Sequence, residues 1–150
     1  MDPLDAGLPA LNQHLEDFLV LLDEEARALA SGDSECLGEL NLKRHGASQE
    51  IAERWGHLAE QLGLPANASL PALRTRAFVD KSPSTNWLRL ETLTQEAARR
   101  NRVNGRLIEE QMHRTQAALQ VLQSASSRNL YGADGRLSDI LNINRSIDTA

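Results

Sequence analysis

Four histidines, one cysteine and a scatter of carboxylates are the side chains in this sequence able to carry acid–base, nucleophilic or metal chemistry. His14, His45, His57 and His113 fall in no HExxH motif, and Cys36 has no second cysteine with which to form a CxxC pair. A di-iron helical bundle requires a Glu-x-x-His on each of two helices. Glu110-Gln-Met-His113 fits that spacing once, whereas Glu53 and His57 are four apart, so a metal-binding bundle enzyme rests on a single match. No glycine-rich phosphate loop is present, and Cys36 stands beside no base. Carboxylate pairs such as Glu24-Glu25 and Glu109-Glu110 lie in stretches expected to be solvated helix. The reading is therefore no catalytic residue, no metal and no cofactor.

The elements that hold these residues follow from composition and spacing. The chain has 150 residues, the size of one domain, with 41% apolar residues but only 3% aromatic. Leucine and alanine make up most of the apolar content, which favours helices over sheets. The net charge of −5 argues against a nucleic-acid partner, whose phosphates require a basic surface. The longest apolar run, Phe18 to Leu22, is too short for membrane insertion, and the acidic start does not resemble a secretory signal. A lone cysteine suits a reducing compartment, so a cytoplasmic location is expected.

From Leu8 the apolar residues recur as Leu8, Leu11, Leu15, Phe18, Leu22, Ala26 and Leu29, one stripe of a helix over about 8–31. Gly32 ends it, Asp33 caps the next, and a second stripe runs Leu37, Leu40, Arg44, Ala47, Ile51, Trp55, Leu58, Leu62 over 34–62, closed by Gly63. With so short a connection the two must fold back antiparallel. Residues 63–83, punctuated by Pro65, Pro71 and Pro83, read as a linker holding one short helix capped by Ser69. The third long helix spans 84–127, capped by Ser82 or Ser84, with the stripe Trp87, Leu90, Thr94, Ala97, Asn101, Asn104, Ile108, Met112, Thr115, Leu119, Leu122. The expected fold is all-α: an elongated antiparallel hairpin plus one long helix, a coiled-coil-like three-helix bundle, as a single domain over 1–127. Residues 128–150 form a C-terminal tail.

Two features of the third helix have competing meanings. Arg99, Arg100, Arg102 and Arg106 either face an acidic partner or nucleic acid, or pair with Glu16, Asp17, Asp23, Glu24 and Glu25 across the bundle, or as Glu96–Arg100 and Arg106–Glu110 along the helix. Asn101, Asn104 and Gly105 interrupt the apolar stripe. Asparagine at a seam fixes register at a cost in stability, and glycine lets a neighbouring backbone approach; the alternative is a groove shaped for another ligand. In the tail, Leu137, Ile140, Leu141, Ile143 and Ile147 either cover the end of the bundle or fold on a partner as an amphipathic helix.

Asn101-x-x-Asn104-Gly105-x-Leu107-Ile108-x-x-Gln111, then Thr115-x-x-Ala118-Leu119-x-Val121-Leu122, then Leu130-Tyr131-Gly132-Ala133-Asp134-Gly135 resembles the C-terminal half of the FlgN-type flagellar export chaperones. The resemblance implies a cytosolic type III export chaperone whose clients are the hook–filament junction proteins. It associates client binding with the C-terminal region, here Leu119, Leu122 and the five apolar tail residues. It also associates the tyrosine of the Tyr131-Gly132-x-Asp134-Gly135 motif with docking on the cytoplasmic domain of the export gate. Packing of Tyr131 against the end of the third helix is the structural alternative. A coiled-coil adaptor or homo-oligomer without a client is the competing function.

Overall fold

The computed structural model describes the backbone of residues 2–129 and the side chains of residues 2–127. Four helices follow one another: α1 (Pro3–Ser31), α2 (Ser34–Gln61), α3 (Leu70–Ala77) and α4 (Thr85–Asn129). The fold is all-α, a helical bundle, with no strand among the described residues. By contacts the chain divides into a unit of Met1–Gln111 and a second of Met112–Ala150, and α4 contributes to both.

The expected punctuation is present atom by atom. Gly32 takes φ 71° and Gly63 φ 70°, the left-handed conformation that a Cβ would strain. The Asp33 carboxylate accepts from the Cys36 N–H at 3.0 Å, and Ser69 Oγ from the Ala72 N–H at 3.3 Å. Ser84, rather than Ser82, caps α4 by accepting from the Trp87 N–H at 3.2 Å. One boundary differs from the sequence expectation, because α1 starts at Pro3 and not near residue 8. Asp2 and Pro3 form a cap and N1 pair, with Asp2 Oδ1 accepting from the Leu4 N–H at 3.1 Å. Tertiary bonds then hold these first turns despite Pro9: Lys81 pairs with Asp2, and Ser84 Oγ donates to Asp5 at 2.6 Å.

Helix direction can be read from the cross-links. His14–Glu50 and Glu25–Arg44 join α1 to α2 in opposite order, so these two are antiparallel. Ser84 to Asp5, Arg89 to Glu16, Arg100 to Leu19 and Asn104 to Leu22 ascend together, so α4 runs parallel to α1. The linker carrying α3 makes that return possible. It is clamped by the Trp55 Nε1–H donating to Ala68 O at 2.9 Å and by Arg76 Nε donating to Leu62 O at 3.1 Å.

The core is a column of α1 leucines, Leu4, Leu8, Leu11, Leu15, Leu19 and Leu22 with Phe18, against Leu58 and Ala59 of α2, Leu73 and Ala77 of α3, and Trp87, Leu90, Leu93 and Ala97 of α4. Ala26, expected on the stripe, is only half-buried; Glu25 and Ala28 are buried instead. Trp87 is fully buried, meets Phe78 edge-on at 4.9 Å between centroids, and donates its indole N–H to Glu91 at 2.9 Å. Arg74 of α3 closes on the same carboxylate. Trp87→Ala should therefore cost about 3–5 kcal/mol, read as a lower urea midpoint.

Of the arginine cluster, Arg100 pairs with Asp23 across the bundle at 2.9 Å and with Glu96 at 2.8 Å, and Arg99 also binds Glu96. Arg106 and Glu110 make no ion pair among the described residues. Hydrogen bonds from Arg99 and then Arg100 hold the Glu96 carboxyl down at about 2. Arg74 similarly lowers Glu91, and Lys81 lowers Asp2. A depressed carboxylate stabilises the fold above its ordinary range near 4.3 and loses that contribution as pH falls toward the folded value. Acid titration should therefore show stability falling between about pH 4.3 and 2, and Glu96→Gln should flatten that slope.

Candidate functional site

Two features of α4 remain once the core is accounted for, and both lie beyond Ala97. The first is a polar cluster in the first unit. Asn104 is 2% exposed and donates through Nδ2 to the Leu22 carbonyl at 2.9 Å and to Glu25 Oε1 at 3.0 Å. Glu25, 7% exposed, receives Arg44 Nη1 at 2.8 and 2.9 Å, and Arg44 Nη2 donates to Asn101 Oδ1 at 2.7 Å. One carboxylate thus collects donors from α2 and α4, and a single guanidinium joins all three long helices. Each bond to Glu25 is charge-assisted, the stronger kind of protein hydrogen bond.

The asparagines expected to set register bond across helices, Asn101 to Arg44 of α2 and Asn104 to Leu22 and Glu25 of α1. Asn104 reads one carbonyl of α1, and a slip of α4 by one residue would take Asn101 and Asn104 off their partners while Glu25 and Arg44 stay paired across α1 and α2. Gly105 does not have the role expected of it: a Cβ built there meets nothing within 4 Å, so no backbone approaches closely. Sequence reasoning missed the Glu25–Arg44 link. Its signal was Arg44 standing in the apolar stripe of the second helix, since a cation at a seam position requires a buried acid.

The second feature belongs to the unit that starts at Met112. Met112, Leu119 and Leu122 fall at steps of seven and three residues, so with Thr115 they share one helix face, and Val121 lies opposite. Met112 is 54% exposed and Leu122 62%, with Leu119 and Val121 exposed as well. Of the residues associated with client binding, only Leu119 and Leu122 belong to the described part. Leu137, Ile140, Leu141, Ile143 and Ile147 lie outside the described residues, as do Tyr131, Gly132, Asp134 and Gly135 of the gate-docking motif. Among the described residues no three His, Cys, Asp or Glu side chains gather as a metal site, Glu110 and His113 included, and no helix is long and apolar enough to cross a membrane.

The runs Asn101–Gln111, Thr115–Leu122 and Leu130–Gly135 carry the resemblance, and comparison with known proteins bears on the family. The family model described as "FlgN protein" matches residues 1–139. This chain belongs to the FlgN family. The chain is similar to the flagella synthesis protein FlgN of Escherichia coli, 28% identical over 131 residues that cover 87% of each chain. It is equally similar to the proteins of the same name from Salmonella typhimurium and Salmonella typhi, 28% identical over 139 residues and 92% of each chain. No solved structure matches it.

Two substitutions separate the roles of the seam residues. Arg44→Ala leaves the Glu25 carboxylate buried without its cation and should cost about 1–3 kcal/mol in equilibrium unfolding. Gly105→Ala fills open space in a helix interior and should stabilise by up to about 1 kcal/mol, read as a raised Tm.

Proposed function

We propose that this FlgN-family chain is a cytoplasmic type III flagellar export chaperone that binds hook–filament junction proteins and delivers them to the cytoplasmic domain of the export gate. The observation that carries the reading is the uncovered apolar face of α4, with Met112, Leu119 and Leu122 exposed on a chain of this family. Such a face suits an amphipathic client helix, because apolar side chains three and four residues apart enter a partner's groove as anchors. Burial supplies the driving force at about 25 cal/mol per Å² of apolar surface, from which ordering costs are subtracted.

The tail extends the same chemistry. Leu137, Ile140, Leu141, Ile143 and Ile147 add apolar anchors at helical spacing, and the acidic net charge keeps a chain with such surface dispersed. Tyr131 offers a large ring and a hydroxyl at low side-chain entropy, a chemistry common at interface hot spots, which suits gate docking through Tyr131, Gly132, Asp134 and Gly135.

Two experiments test the assignment. Cutting the chain after Leu122 should abolish capture of the junction proteins in a pull-down while circular dichroism stays strongly helical; undiminished capture refutes the site. Tyr131→Ala should lose binding to the gate's cytoplasmic domain and keep client binding, whereas equal loss of both assigns the ring to folding.

A further inference from the structure

The contact between α4 and the α1–α2 hairpin changes character along its length. Over 87–97 it is apolar, with Trp87, Leu90, Leu93 and Ala97 all buried. After Ala97 Asn104 is the one buried residue of α4 among the described side chains, while Leu107 is half-buried and Ile108 is 41% exposed. Hydrogen bonds hold 101–111, with Leu107 its one half-buried apolar side chain: Arg44 to Asn101 at 2.7 Å, Asn104 to Leu22 O and Glu25, and Gln111 to Leu29 O. The opposing hairpin tip has its own buried residues, Ala28, Leu29 and Leu40, which do not join the main core cluster.

We propose that α4 is attached in two parts, with 87–97 fixed and 101–111 able to leave the hairpin as a unit. Polar groups exchange protein partners for water at low net cost, about 0.5–1.5 kcal/mol per hydrogen bond, whereas uncovering buried rings and leucines does not come so cheaply. Glu25 and Arg44 stay paired within the hairpin when α4 leaves, so no lone buried charge opposes the release. The network is thus a latch whose other half remains intact. Resting on the chaperone reading above, the latch regulates the same site: release adds Leu107, half-buried in the latched state, to the apolar surface that the client helix meets.

Hydrogen exchange on the free full-length chain tests the latch itself. Amides of 101–111 should exchange at least tenfold faster than those of 87–97, and equal protection overturns the proposal. Replacing the seam by apolar residues, Glu25→Leu with Arg44→Met, Asn101→Leu and Asn104→Leu, should remove that difference and raise Tm, because packed apolar groups commonly outperform buried ion pairs. Asn101→Ala, which removes one half-buried acceptor and leaves the core intact, should speed exchange of 101–111 further; no change overturns the latch. The regulatory half is read with a purified junction protein as probe: its association rate should fall at least fivefold with the apolar seam, and an unchanged rate overturns that half. Failure of the wild-type chain to bind any junction protein counts against the chaperone reading, while exchange of the free chain still tests the latch.

Discussion

A carboxylate can leave water only where cations and hydrogen-bond donors replace its hydration shell, and Glu25 is arranged on that condition. Its two oxygens take the guanidinium of Arg44 from α2, and one also takes the Asn104 amide from α4, so its charge is paired within the hairpin and its set of donors is complete when α4 is in place. Apolar packing tolerates small slides; this cluster does not. The core of leucines and Trp87 drives association, and the polar cluster adds bonds whose direction and distance apolar packing does not specify.

This division of labour follows the course of α4. Its early turns are built of large apolar residues and the ring pair Phe78–Trp87, with α3 tied on through Arg74 and Glu91. Later turns carry amides at the seam, and those after Met112 leave leucines and a methionine in solvent. On the proposed chaperone reading, a helix that spent its whole apolar stripe on its own hairpin would have none left for a client. A helix whose stripe was apolar throughout and uncovered would aggregate. The seam asparagines mark the change between the two conditions.

Much of the fold was legible in the residues. The leucine periodicity, the glycines at 32 and 63, and the caps Asp33, Ser69 and Ser84 specify helices through local geometry, and local geometry is what sequence patterns report. The start of α1 was less legible, because the turns before Leu8 are held by Lys81 and Ser84, each 79 residues from its partner. The candidate site was legible as a family motif and as an apolar stripe, but spacing alone does not tell a covered stripe from an uncovered one.

Helix content, the antiparallel return of α2 and the membership of a flagellar family are properties of the sequence itself, since each rests on residue type and spacing. The tertiary structure decided which polar residues go inside. Glu25 sits beside Glu24 and looks the same in sequence, yet only Glu25 comes within reach of both Arg44 and Asn104, residues 19 and 79 positions distant. The partners that make a charge tolerable in the interior are brought together by folding, so a string of letters cannot single out that carboxylate.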